Sequence, residues 1–280
     1  MTLVSRLSTL LIVLLLVGCS QEKVQVIEGS IYGTTYSVQF TENIDKEEIH
    51  TLVKAELDRI DMVFSTYKDD SEISKFNNCL SDPAYPPKSF CFKLVSEEFI
   101  TLFEKAEIIE SMSMGAFTPR PLVTGRQTYD FSAIGKGYAV DKIGEVLVKN
   151  GISNYFIDIG GEVSINGTKY GETWTWGVNN PFNLNSSAYK AFEAPEDGIS
   201  VATSGEYRNP GHIWGEGPKD AVSVTVIDKN TTNADAWATA MYILGVKKGL
   251  EIAEKEGLAV FFIKNDGKSI NSSEWSKIYP

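Results

Sequence analysis

The sequence predicts an α+β (mixed α/β) fold, a single compact domain of interleaved strands and helices. Three observations carry this. Short β-branched and aromatic runs recur along the whole chain, as strands require. Segments with apolar residues near a 3.6 period lie between them, yet the two kinds do not alternate as clean βαβ units. The 280 residues are 42% apolar and 11% aromatic, the composition of a packed domain rather than a disordered chain.

The N-terminus stands apart from this domain. Arg6 supplies a positive charge, and Leu10 to Val17 is an apolar run too short to span a bilayer, which needs about 20 residues. Small Gly18 and then Cys19 follow. These are the marks of a secretory signal peptide over residues 1–18. The Leu16-Val17-Gly18-Cys19 ending resembles a bacterial lipobox. That resemblance implies cleavage before Cys19, acylation there, and a membrane-anchored protein facing the periplasm or the cell exterior. Several acyl chains anchor stably where one does not. A plain secreted protein is the alternative. Residues 19–30 then read as the lipidated Cys19 and a polar tether, and residues 31–280 as the domain.

Ile31 to Phe40 is rich in β-branched and aromatic residues and reads as a strand. Residues 46–63 place Ile49, Leu52, Val53, Leu57, Ile60 and Val63 on a helical stripe. Phe64 to Asn78 is turn-rich, with room for a second short helix. Ser96 to Met112 is helical, with Phe99, Leu102, Phe103, Ala106 and Ile109 on one face and Glu97 and Glu98 suited to a helix N-terminus. Gly135 to Asn150 is a helix ending before Gly151. Tyr155 to Ile165 forms two strands joined across Gly160-Gly161. Trp174 to Val178, Ile199 to Thr203 and Ala221 to Asp228 are strands. Asn233 to Glu256 is a long helix with a break near Gly245, and Leu258 to Lys264 is an apolar strand before a turn at Asp266-Gly267. Cys79 and Cys91 flank a Pro-rich loop. In an export compartment they are expected to form a disulfide.

Lys plus Arg number 26 against 37 Asp plus Glu, a formal charge of −11. That argues against nucleic acid as the partner, because phosphate binding needs a basic face. An anionic small molecule is still admissible if a divalent cation offsets its charge. Only two histidines are present, which argues against a His-rich zinc site.

Five clusters could carry chemistry. Asp235 and Thr239 are four apart on the long helix and share a face. A carboxylate and a hydroxyl suit a magnesium ion, although acidic residues are common in a first helical turn for dipole reasons. Ser132 to Asp141 contains Gly135, Lys136 and Gly137 at a helix start. Backbone N–H groups could meet a pyrophosphate there, or the glycines could serve close packing. Asp158 to Glu162 brackets a Gly-Gly pair, a ligand approach or a simple hairpin turn. Thr203 to Asn209 precedes His212, a general-base candidate or a surface loop residue. Tyr67 could stack on a flat aromatic ligand or merely pack.

Taken in order, these clusters resemble the ApbE family of FAD:protein FMN transferases. The matching stretches are Gly33-Thr34-Thr35-Tyr36, Ser65 to Asn77, Gly115 to Pro119, Ser132 to Asp141, Asp158 to Glu162, Ser204 to Arg208 and Ala234 to Thr239. The resemblance implies an ApbE-type fold and magnesium-dependent transfer of FMN from FAD to a Thr or Ser hydroxyl of an exported protein, with release of AMP. It implies Asp235, Thr239 and a carbonyl at the Gly135 turn as magnesium ligands. Tyr67 would stand against the isoalloxazine. Lys136, Gly135 and Gly137, with Asp141, Ser204 and Arg208, would line the dinucleotide, and His212 would help deprotonate the acceptor.

The chain departs from the family text in two places. Gly115-Ala116-Phe117-Thr118-Pro119-Arg120-Pro121-Leu122 stands where the family reads Gly-Ala-Phe-Asp-Pro-Thr-Val-Gly-Pro-Leu. His212-Ile213-Trp214-Gly215 stands where it reads His-Ile-Ile-Asp-Pro. Alternative readings are an FAD pyrophosphatase using water as nucleophile, an FAD-binding lipoprotein without turnover, and a solute-binding lipoprotein for another ligand.

Overall fold

The computed structural model describes residues 23–82, 88–120, 128–186 and 188–280. The signal-peptide and lipidation readings at residues 1–19 lie outside the described residues. The strands are β1 (Gln25–Ile31), β2 (Thr34–Phe40), β3 (Tyr155–Ile159), β4 (Glu162–Asn166), β5 (Thr175–Val178), β6 (Lys190–Glu193), β7 (Ile199–Ser204), β8 (Ala221–Asp228), β9 (Ala259–Lys264) and β10 (Ser269–Asn271). The helices are α1 (Lys46–Phe64), α2 (Glu72–Ser81), α3 (Glu97–Met112), α4 (Gly135–Lys149), α5 (Thr231–Glu256) and α6 (Ser273–Ile278).

Eight strands form one antiparallel sheet in the order β1-β2-β3-β4-β7-β8-β9-β10. Its two faces bury two different apolar layers. β9 shows the division: Val260 and Phe262 face the helices, whereas Ala259, Phe261 and Ile263 face the opposite layer. This period of two over a sheet covered on both sides explains why the strand reads as an unbroken apolar run. The helical layer packs α4 and α5 against the sheet, with α1 beside α4 and over β1, and α3 against α5. The opposite layer is aromatic: the stacked pair Trp176 and Phe192 of β5 and β6 meets the stacked pair Phe261 and Trp275 of β9 and α6 edge-on.

Two sequence expectations are met closely. Cys79 and Cys91 are disulfide-bonded across a separation of 12 residues, a closure worth on the order of 3 kcal/mol. α5 is interrupted at Gly245, whose φ of 70° a residue with a Cβ adopts reluctantly. The following N–H, of Val246, donates to Asp220 Oδ1 at 2.7 Å.

One expectation is corrected. The polar run over residues 19–30 is not a tether throughout: from Gln25 onward it is edge strand β1, in register with β2 along its whole length. Only Ile27 of β1 is fully buried, because an edge strand with one covered face needs few apolar residues. Gln25 Nε2 fixes the strand end by donating to the carbonyls of Glu42 at 2.7 Å and Ile44 at 2.9 Å.

Candidate active site

The site begins where α4 crosses α5. At Gly137 the two helices touch: a Cβ there would lie 2.3 Å from the Thr231 carbonyl oxygen and 2.8 Å from Asp235 Cβ. The close approach lets the Gly137 N–H, which a first-turn helix residue cannot use internally, donate to Asp235 Oδ2 at 2.9 Å. One turn further along α4, Asp141 receives Thr231 N at 2.8 Å, Thr232 N at 2.9 Å and the Thr232 hydroxyl at 2.5 Å. It caps α5 from outside, a carboxylate at a helix N-terminus.

Gly137 and Asp141, expected among the dinucleotide-lining residues, are engaged at the helix crossing. The first gives its N–H to Asp235, and the second has both oxygens engaged by α5. Neither lines the cavities described next.

Two cavities meet at Lys136. The first, of about 360 Å³, is walled by Lys136, Asp158, Glu162, Ser204, Arg208, His212, Asp235 and Thr239, among others. The second, of about 680 Å³, is more apolar, with Phe64, Phe131, Tyr67 and Gly135 in its wall. Tyr32, Ser132 and Lys136 belong to both. Of the expected residues, Lys136, Ser204, Arg208, His212, Asp235 and Thr239 thus converge on the first cavity, and Tyr67 and Gly135 on the second. Tyr67 is 95% exposed, so its ring lies open at the rim.

The first cavity is electrically tense. Lys136 Nζ lies 2.5 Å from Glu162 Oε2. Burial pushes the Glu162 carboxyl up to about 8 against the opposing pull of Lys136. Burial raises Asp235 as well, opposed by Lys136 and by the Gly137 N–H. Asp158 is raised by burial, with the Gly161 N–H, Arg208 and Lys136 working the other way. Burial works to lower Lys136, but Glu162, Asp235 and Asp158 outweigh it and the amine is raised. Three acidic side chains, all raised by burial, thus share the wall with two side-chain cations, Lys136 and Arg208, and their ionised forms lack enough positive charge around them.

That deficit suits a divalent cation, and the donors fit one. Asp235 and Thr239 share a face of α5, and both are buried in the cavity wall. The Thr239 hydroxyl is 3.3 Å from that of Ser204. Among the described residues no three His, Cys, Asp or Glu side chains converge as a metal cage. A cation here would take one carboxylate, a hydroxyl and otherwise carbonyl, water and substrate oxygens, the habit of magnesium rather than of zinc.

His212 stands exposed at the mouth, with Nδ1 2.5 Å from the Asn209 carbonyl oxygen. A carbonyl only accepts, so Nδ1 carries a proton, and in the neutral ring the lone pair lies on Nε2. Its loop is held by Glu206, whose carboxylate accepts from Ile213 N at 3.2 Å and from the Tyr242 hydroxyl at 3.3 Å. Lys219 Nζ adds a bond to the Ile213 carbonyl at 2.6 Å.

Two wall residues escaped sequence reasoning. Glu162 was bracketed with its hairpin but given no role; its signal was an acid directly after a Gly-Gly turn, whose residues take φ of 67° and 108°. Trp214 lies within one departure from the family text, and its Nε1 reaches the carbonyl of Thr118, in the other, at 3.5 Å. The two departures are therefore neighbours in space.

A profile of the ApbE family matches residues 32–124 and 122–262. The FAD:protein FMN transferase of Salmonella typhimurium is 28% identical, over 92% of this chain and 91% of that protein. That of Escherichia coli K12 is also 28% identical, over 96% and 94%. The apo flavinyl transferase ApbE of Pseudomonas stutzeri superposes with a TM-score of 0.76 at 26% identity, over 93% of this chain and 99% of that one. The ApbE protein of Thermotoga maritima, at 20% identity and a TM-score of 0.75, shares the fold.

Proposed function

The chain belongs to the ApbE family, and we propose that it is an FAD:protein FMN transferase. FAD and a protein acceptor are its substrates. In the fuller form of this reading the reaction needs magnesium, the acceptor is a Thr or Ser hydroxyl of an exported protein, and AMP leaves. The observation that supports the reading is Lys136 at the meeting of two cavities, with Asp235 and Thr239 in the wall of the first.

A dinucleotide has two ring systems joined by a pyrophosphate. With the pyrophosphate at Lys136, one half enters each cavity. Lys136 supplies a point charge to the phosphates. Asp235 and Thr239 would hold the magnesium, with a carbonyl of the Gly135 turn. Magnesium, when bound, offsets the charge that develops on the phosphoryl oxygens. His212 Nε2 accepts the proton of the attacking hydroxyl, while the Asn209 carbonyl fixes its tautomer. Arg208 balances Asp158 beside the same wall.

The test is incubation of the chain from Ser20 with FAD, magnesium and a Thr-bearing flavin-acceptor domain. Flavin fluorescence on the acceptor and equimolar AMP are expected, both lost with EDTA. AMP without labelling of any acceptor would point to an FAD pyrophosphatase, and bound FAD without AMP to a binding lipoprotein. His212→Ala is expected to slow transfer about a hundredfold with FAD affinity little changed. An equal loss of both would make His212 a pocket residue instead.

Acylation at Cys19 would hold the enzyme at a membrane. Partition of the full chain into a detergent phase, abolished by Cys19→Ser, is the expected result; an unchanged partition would refute the anchor.

A further inference from the structure

The loop that carries His212 also brings an aromatic side chain to the first cavity. Gly215 and Gly217 let this loop lie flat on α5: a Cβ at Gly217 would sit 2.0 Å from the Ile243 carbonyl oxygen, and one at Gly215 2.8 Å from Ile243 Cδ1. With Glu206 and Lys219 pinning Ile213, Trp214 is held in the cavity wall. Its indole N–H is directed to the Thr118 carbonyl. The other four tryptophans, Trp174, Trp176, Trp237 and Trp275, are at most 5% exposed and belong to the two cores. Trp214 alone of the five is half-buried. A fixed, partly open indole in the wall of a polar cavity is a stacking surface.

The two cavities differ in what ring they suit. The larger, lined by Phe64, Tyr67 and Phe131, fits a tricyclic apolar ring. The smaller, polar cavity around Trp214 fits a purine. We propose that Trp214 is the stacking partner of the adenine ring of the dinucleotide, a binding residue for the half of FAD that leaves. The inference rests on the flavin-transferase reading.

The experiment titrates the full chain with ADP and magnesium, following tryptophan emission, and measures ADP and FMN affinities by calorimetry. Saturable quenching by ADP is expected, absent from Trp214→Phe, whose remaining tryptophans are buried. Trp214→Ala should weaken ADP about tenfold, within the range for loss of a base–aromatic stack, and leave FMN affinity unchanged. Trp214→Phe, which keeps a ring, should retain most of the ADP affinity. Unchanged ADP affinity in Trp214→Ala would overturn the assignment, as would a loss confined to FMN. Wild-type quenching decides the question even where Trp214→Ala fails to fold: bound ADP with unaltered emission also refutes it. A wild-type chain that binds none of FAD, FMN and ADP would overturn the flavin-transferase reading itself, a different failure.

Discussion

Asp235→Asn is expected to lower magnesium-dependent AMP release from FAD at least about a hundredfold, because it removes the one carboxylate of the proposed magnesium site. The fold should survive. The amide oxygen of asparagine can still accept the Gly137 N–H, and a neutral group escapes the burial that raises the Asp235 carboxyl. Thermal unfolding separates the two effects. A ligand that binds only the folded state raises its Tm, so magnesium with ADP should stabilise the wild type and not the variant. Full activity of Asp235→Asn at saturating magnesium would refute the metal assignment.

Gly137→Ala should damage both the fold and the site. The added carbon would be driven to 2.3 Å from the Thr231 carbonyl oxygen, and α5 cannot retreat freely while Asp141 holds its first turn. Overpacking of this kind costs about 1–3 kcal/mol, and here it also pushes Asp235 away from Lys136. Loss of stability and of activity together is the expected outcome. Gly135→Ala is the control, since a Cβ there meets nothing within 4 Å. It should leave Tm unchanged or slightly raised, as alanine favours the helix. A Gly137→Ala protein with wild-type Tm would show that the helix crossing is more yielding than its geometry implies.

Much of this was legible in the sequence, and the exceptions have physical causes. α1, α3, α4 and α5 are long and periodic, so their stripes were readable. β6, β10 and α6 are only three to six residues long, too short for periodicity to register. β1 read as a tether because a half-covered edge strand carries few apolar residues. Within the site, Asp235 and Thr239 were visible as a pair because helical spacing alone makes them neighbours. The helix-crossing partners of Gly137 and Asp141 are hidden from the sequence because Asp235 and the first turn of α5 lie about ninety or more residues away. No local pattern reports such a contact. Trp214 stands out in the sequence only as a departure from the family text, and its pairing with Thr118 emerges in three dimensions alone.

The bond between Gly137 and Asp235 spans 98 residues, and that distance governs when the protein can first become active. Closing so long a loop costs entropy before any contact repays it. Between the two partners the chain must lay down β3, β4, β7 and β8, all in the central sheet. No fragment that ends before α5 can therefore hold the Gly137–Asp235 contact, and the proposed metal site is framed only when both helices are in place. The long-range contact at the helix crossing is therefore expected to form late, with the docking of α5 on α4.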